Sequence, residues 1–157
     1  MENYSANIIK QKLQSLLIWK SNISVEVLEG GWTNDTYLVT DGNEKYVAKV
    51  GGDKRDFGVI RSNELLAHRA AHQAGISPNI IYHKKEISIY EYIHSKILTP
   101  QEIREEKNLK KIIYLINIVH KKVTNYLKYK NLFLNIFQII EHRFYVLKKY
   151  KSLYTDT

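Results

Sequence analysis

A lysine inside an apolar run and a glutamate early in the next amphipathic stretch are the residues best suited to chemistry. Lys49 lies within the apolar run Val47–Val50, and Glu64 lies near the start of the next segment with helical periodicity. A lysine on the covered face of a strand can hold phosphate groups, and a carboxylate on the neighbouring helix can hold the lysine. The alternatives are an edge-strand lysine and a solvated helix carboxylate.

A glycine pair upstream could bring backbone groups close to the same phosphates. Gly30 and Gly31 separate two strand-like runs and are followed by Trp32, Thr33 and Asn34. Glycines permit close backbone approach to an anion, and their N–H groups can point at it. Thr33 and Asn34 add a hydroxyl and an amide. A plain hairpin turn would also explain this corner.

The composition excludes several classes of site. The chain has 157 residues and no cysteine, so disulfides, zinc–thiolate sites and thiol nucleophiles are excluded. Its apolar runs are too short to span a bilayer, and the first residues lack the layout of a secretory signal. We therefore expect a cytoplasmic protein without a transmembrane segment.

Hydrophobic spacing predicts one α+β fold for the chain. Five strands alternate with period two, and the helices follow a period of 3.6. Thr99, Pro100 and Glu102 form a capping-box signature at the start of the last, wholly helical region. The predicted strands are 24–28, 36–40, 45–50, 80–82 and 87–93, and helices are predicted at 5–19 and 60–74 and at intervals after Thr99.

This order of elements is similar to the smaller lobe of protein-kinase-like enzymes. We expect a protein-kinase-like N-lobe, a five-stranded antiparallel sheet plus one helix, over residues 1–98. Residues 99–157 would then be the first helices of an incomplete α-helical C-lobe.

Several motifs together resemble the choline/ethanolamine kinase family, within the aminoglycoside-phosphotransferase-like group. They keep the family's order and spacing over roughly residues 24–150. The matching stretches are Leu28–Tyr37 with its G-G-x-T-N core, Tyr46–Lys49, Arg61–Glu64, Ala74–Pro78, Tyr90–Ile93, Leu98–Pro100, Leu109–His120 and Phe133–Tyr150.

The resemblance implies ATP-dependent phosphorylation of a small alcohol, choline or ethanolamine in most members. It implies that Lys49 binds the α- and β-phosphates and that Glu64 holds Lys49. Backbone groups of the hinge, from Glu91 to Ile93, would meet the adenine. The corner residues implied to touch phosphates are Gly30, Gly31, Thr33 and Asn34.

The family's catalytic loop, H-x-D-x-x-x-x-N, is missing from the sequence. None of the six histidines is followed two residues later by aspartate, and no aspartate lies between Phe57 and Thr155. The Asp56-Phe57-Gly58 triplet precedes Glu64, whereas a metal-binding D-F-G follows the catalytic loop. We therefore predict no catalytic residue and no metal ligand in this chain. Magnesium would accompany ATP only if a separate chain carrying the missing C-lobe supplied its ligands.

Two alternatives to an enzyme part stay open. One is a decayed or non-catalytic nucleotide-binding fragment. The other is a basic helical module that binds RNA or an acidic partner, because residues 76–157 hold fifteen basic and seven acidic side chains. Since those lysines surround helices that also bury apolar faces, we expect no specific nucleic-acid site.

Two expectations concern the helical region. His120 lies on the apolar stripe of Leu109, Ile112, Ile113, Ile116 and Val123 and is predicted to be a packed core histidine. The second stripe should be largely exposed, because the helices that would cover it are absent. Its members are Phe133, Ile136, Phe137, Ile140, Phe144 and Leu147.

Overall fold

The computed structural model describes residues 2–28, 35–55, 58–127 and 136–149. They form a five-stranded antiparallel sheet with helices on both faces, followed by a helical region. The strands are β1 Ser24–Leu28, β2 Asp35–Asp41, β3 Glu44–Val50, β4 Ile80–Lys84 and β5 Ile87–Glu91. The principal helices are α1 Glu2–Gln14, α2 Arg61–Gln73, α3 Pro100–Arg104, α4 Glu106–Ile118, α5 Thr124–Tyr126 and α6 Ile136–Lys149.

The strands are arranged in the order β1-β2-β3-β5-β4, with every neighbouring pair antiparallel. All five predicted strands are confirmed, with ends that differ by up to two residues. The β2–β3 turn contains Gly42 at φ +59°, a left-handed conformation that glycine adopts without steric cost.

One face of the sheet packs against α1 and the segment that follows it. The core there is formed by alternate strand residues and a fully buried Leu13 from α1. Its buried members are Leu13, Ile23, Tyr37, Val39, Ala48, Val50 and Ile89.

The end of β2 is attached to the segment after α1 by a buried carboxylate. Asp41 Oδ2 accepts from the Lys20 amide at 2.7 Å, and Oδ1 accepts from the amide and hydroxyl of Ser21 at 2.8 and 2.6 Å. These bonds hold the pKa of Asp41 below its usual range. A buried charge of this kind is tolerated because its oxygens are hydrogen-bonded.

The opposite face of the sheet is covered by α2. Ala70 is the buried residue of this helix, which ends at Gln73 and is followed by Gly75 with φ +80°. The Gly75 and Ile76 amides donate back to the carbonyls of His72 and Ala71, a helix ending for which a left-handed glycine is preferred.

The helical region begins as the sequence indicates. Thr99 Oγ1 accepts from the Glu102 amide, and the Glu102 side chain accepts from the Thr99 amide, so the predicted capping box is confirmed. Across the described part of the chain, no helix combines the length and apolarity needed to cross a membrane.

Helix α1 ends five residues earlier than predicted. The Trp19 indole Nε1 donates to the Leu13 carbonyl at 2.6 Å, which satisfies an acceptor exposed at the helix end. The chain turns there so that Leu16, Ile18 and Trp19 pack on the core. Leu17, which the predicted helix included, is fully exposed.

The prediction that His120 is packed in the core is wrong. Residues Val119–Val123 form a π-helical segment that lies against α2. Its wider turn aligns residues five apart, and Ile118 and Val123 are the buried pair. The α-helical stripe is interrupted at that point, and His120 is exposed.

Helix α6 presents most of its predicted stripe to solvent. Phe137, Ile140, Phe144 and Leu147 are between 50% and 75% exposed, which confirms the expectation for these four residues. Phe133 and the Ile136 side chain lie outside the described part of the chain.

Candidate functional site

A row of cross-strand partners places Lys49 beside the other candidate groups. Lys49 is paired with Ser88 on β5 and with Thr36 on β2. Ser88 is paired in turn with His83 on β4, and the His83 Nδ1 and Ser88 Oγ are 2.8 Å apart. Because directly opposite residues share one face of a sheet, Lys49, Ser88 and His83 all lie on the α2 side.

The predicted ion pair between Lys49 and Glu64 is present. Lys49 Nζ is 3.8 Å from Glu64 Oε1, and the side chains are 38% and 36% exposed. Lys49 is the penultimate residue of β3, and Glu64 lies in the first turn of α2. The ammonium therefore has its acceptor on the helix that covers its face, yet remains open to solvent on one side.

A buried tyrosine and a half-buried histidine lie beside Lys49. The Lys49 Nζ lies 5.4 Å from the centre of the Tyr90 ring, and this ring packs on the His68 ring at 4.4 Å. A cation at such a distance from an aromatic ring is attracted to its π-face. Burial raises the pKa of Tyr90, so its hydroxyl stays neutral at physiological pH.

The pKa of His68 is shifted in the direction that favours a neutral ring. Burial lowers this pKa, a hydrogen bond between Nε2 and the Pro78 carbonyl opposes the shift, and the nearby Lys49 charge adds to it. Because the neutral ring donates to the carbonyl through Nε2, Nδ1 is the ring nitrogen without a proton.

These groups line a narrow cleft between the sheet and α2. It encloses about 10 Å³, roughly the space of one water molecule. Three cations and two carboxylates line it, so its formal charge favours an anion. The lining residues are Lys49, Gly51, Arg61, Glu64, Leu65, His83, Lys85, Glu86, Ser88 and Tyr90. Among the described residues, no group of three or more histidines and carboxylates is placed to hold a metal ion.

The glycine corner lies outside the described residues. Gly30, Gly31, Thr33 and Asn34 all belong to the segment 29–34. The strand ends on either side of it are described: Leu28 is paired with Thr36, which is paired with Lys49. Leu28 and Thr36, which flank this segment, therefore lie in the same row of the sheet as Lys49.

The predicted hinge lies at the other end of β5. Glu91 is the last residue of this strand and is paired with Tyr46, three residues from Lys49 along β3, or about 10 Å. The Glu91 amide donates to the Asn79 carbonyl at 3.0 Å, so this N–H is used within the fold. Ile93 follows outside the strand and is half-exposed.

Sequence reasoning gave no role to Arg61, although the structure places it at the centre of this site. Arg61 Nη1 donates to Glu64 Oε2 at 2.6 Å, and the Arg61 amide donates to Asp53 Oδ1 at 2.9 Å. The spacing of three residues between Arg61 and Glu64 is the signal that could have revealed the first contact. The contact with Asp53 depends on how the loop folds back, which no local pattern reveals.

This chain resembles several known proteins in its three-dimensional structure. Neither a protein-family model nor a curated protein matches the sequence significantly. A Streptococcus pneumoniae choline kinase structure matches 93% of this chain at TM-score 0.58 and 23% identity. A Cryptosporidium parvum choline kinase structure matches 83% of this chain at TM-score 0.57 and 19% identity. A Plasmodium vivax ethanolamine kinase structure matches 76% of this chain at TM-score 0.55 and 18% identity.

The chain accounts for only part of each of these enzymes. It spans 56% of the Streptococcus chain, 37% of the Cryptosporidium chain and 31% of the Plasmodium chain. The likeness therefore concerns a portion of their fold that includes a five-stranded antiparallel sheet and helices. Over that portion, this chain has the kinase-like fold of choline and ethanolamine kinases.

Proposed function

We propose that this chain binds the phosphates of ATP through Lys49 and is the nucleotide-binding part of a phosphotransferase acting on a small alcohol such as choline or ethanolamine. The observation that carries the proposal is the Lys49–Glu64 pair on the α2 face of a kinase-like sheet. The partly open ammonium can exchange part of its contact with Glu64 for a phosphate oxygen. Charge-assisted contacts of this kind are the main contribution a protein makes to phosphoryl transfer.

The adenine would lie at the far end of β3 and β5. Since the Glu91 amide already donates to Asn79, the ligand would meet the Glu91 carbonyl and the backbone at Ile93. The Gly30–Asn34 corner would approach the phosphates from the β1–β2 end. The strand register supports this proposal because Lys49 is paired with Thr36, which follows the corner in sequence, while Tyr46 of the same strand is paired with Glu91.

ATP binding tests this role of Lys49. Lys49→Ala should weaken ATP affinity by about tenfold or more, since a hydrogen bond to a charged group contributes about 1.5–3 kcal/mol. Lys10→Ala is the matched control, because it removes the same charge from an exposed position on α1. Calorimetric titration of the three proteins measures the affinities. Equal affinities in all three would rule out the proposed role.

The chemical step would need residues that this sequence lacks. The base and the Mg²⁺ ligands would come from a polypeptide equivalent to the unmatched portion of the structural neighbours, and we propose that it covers the exposed face of α6. Without it, ATP hydrolysis should be indistinguishable from background, as it would be for a non-catalytic nucleotide-binding fragment. Robust turnover of choline or ethanolamine by the chain alone would contradict this assignment.

A further inference from the structure

Arg61 is unusually enclosed for an arginine at the start of a helix. Its side chain is 13% exposed, although arginine is rarely buried unless its donors are satisfied. The residue is the first of α2 and lies where the loop after β3 meets the helix. This position connects the strand that carries Lys49 with the helix that carries Glu64.

The guanidinium binds both elements at once. Nε donates to the carbonyl oxygens of Gly51 and Gly52 at 3.0 and 2.9 Å, just after the end of β3. Nη1 donates to Glu64 Oε2 at 2.6 Å. The rigid planar fork of arginine allows these contacts to be made together, which the single ammonium of lysine does not.

The two cations hold Glu64 unequally. The contact from Arg61 to Oε2 is a short charge-assisted hydrogen bond, whereas the 3.8 Å between Lys49 Nζ and Oε1 is beyond hydrogen-bonding distance. Arg61 is therefore the stronger partner of the carboxylate. Lys49 is attracted to Glu64 without being tied to it.

We infer that Arg61 is a positioning residue that holds Glu64 and thereby leaves the Lys49 ammonium available to an incoming phosphate. Arg61 also offsets the Glu64 charge, so the three groups together carry a positive charge toward an anion. The inference rests on the proposed function for its ligand, but the relation between Arg61, Glu64 and Lys49 exists without nucleotide.

A double-mutant cycle on ATP affinity tests whether Arg61 acts through Lys49. Arg61→Gln should weaken binding by at least about fivefold, at the lower end of coupling between two sites. In the Lys49→Ala background the same change should have no further effect. Arg69→Gln, at an exposed position on the same helix, is the control and should bind ATP like the wild type. Equal losses in both backgrounds would overturn the inference.

A measurement without nucleotide separates this inference from the proposed function. With Arg61→Gln, Glu64 has lost its stronger partner and should hold the Lys49 amine more tightly. Acetylation of Lys49 by acetic anhydride, measured by peptide mass spectrometry against Lys10 in the same molecule, should therefore slow. Adding Glu64→Gln should restore the rate. An unchanged rate would overturn the inference, whereas a wild-type chain that fails to bind ATP would overturn only the proposed function.

A conservative variant covers the case in which Arg61→Gln does not fold. Arg61→Lys keeps the charge but cannot bind the loop carbonyls and Glu64 together. Its loss of ATP affinity should be smaller than that predicted for Arg61→Gln and should again vanish in the Lys49→Ala background. A loss that persists there would count against the inference.

Discussion

Single side chains in this protein act through the groups that share their contacts. Glu64 divides its two oxygens between Arg61 and Lys49, and Tyr90 separates Lys49 from His68. A charge change at one of these positions is therefore felt at the others. The ionisation of His68 offers a direct measure of this coupling.

We expect the stability of the protein to fall as the pH is lowered from 7 to about 5. Burial lowers the pKa of His68 in the folded chain from its ordinary value of 6.5. The unfolded chain therefore binds more protons in this window, and the free energy of unfolding must decrease as the pH decreases. Burial lowers the pKa of His83 in the same sense.

Urea unfolding across this pH range, compared between the wild type and His68→Gln, measures the effect. Glutamine keeps a donor for the Pro78 carbonyl but does not titrate, so the variant should show a shallower fall. His94→Gln, in an exposed segment, is the control. The carboxylates with lowered pKa, Asp41, Glu44 and Glu102, act at lower pH. An identical slope in all three proteins would contradict this assignment.

Among the elements, the β4–β5 turn carries a local strain that can be removed. Lys85 has φ +51° and is the only non-glycine residue with positive φ in the described part of the chain. This conformation costs an L-residue roughly 1–2 kcal/mol. The turn joins Lys84 and Ile87, which are paired, through two residues. Such short turns favour glycine where φ is positive.

Lys85→Gly should raise the free energy of unfolding by about 0.5–1 kcal/mol, because the relieved strain exceeds the extra entropy of glycine in the unfolded chain. Lys84→Gly is the matched control and should lower it, since Lys84 lies in regular strand geometry. Chemical denaturation of both variants gives the values. A destabilised Lys85→Gly would show that the lysine side chain contributes more than its backbone costs.

The elements differ in how far local sequence specifies them. The strands and the capping box depend on alternation and on residues within one turn, so the sequence predicts them. The π-helical segment at Val119–Val123 depends on packing against α2, and the early end of α1 depends on Trp19 reaching the Leu13 carbonyl. These contacts bring together residues whose proximity no periodicity encodes.

The candidate site shows the same division. The Lys49–Glu64 pair follows from an inward-facing strand lysine and the nearest helix carboxylate, so it was predictable. The contacts of Arg61 with Gly51 and Gly52 require the loop to fold back over the strand end. His83 and Ser88 lie in one row with Lys49 only because of the register of β3, β5 and β4.

At the scale of the whole molecule, the exposed face of α6 should make the chain associate. Phe137, Ile140, Phe144 and Leu147 recur at helical spacing and are all exposed, and contiguous apolar surface of this kind marks an interface or an aggregation liability. Phe144→Ser should reduce concentration-dependent association in sedimentation velocity.

Tyr145→Ser is the control for that measurement, since Tyr145 is similarly exposed but lies outside the stripe. A wild-type chain that stays monomeric at all concentrations and binds no hydrophobic dye would contradict the assignment of this face as an interface. A second polypeptide that completes the site should protect the same four residues.

The positive charge of the molecule should give only generic attraction to nucleic acid. The net charge of +8 lies in residues 76–157, where the basic residues are spread along the sequence. We expect dissociation constants of roughly 10⁻⁴–10⁻⁶ M for polynucleotides at physiological salt. Filter binding with several RNA sequences checks this value. Tight, sequence-selective retention would instead favour the basic helical module.

The bonds of Asp41 have a consequence for where this protein can be divided. A chain begun at Asn22 would retain all five strands, yet it would leave a carboxylate that is 5% exposed without its three donors from Lys20 and Ser21. It would also lose Leu13 from the centre of the core. The first helix and the segment after it are therefore part of the core that supports this sheet. Recombination or proteolysis that separates them from the strands should yield an insoluble sheet.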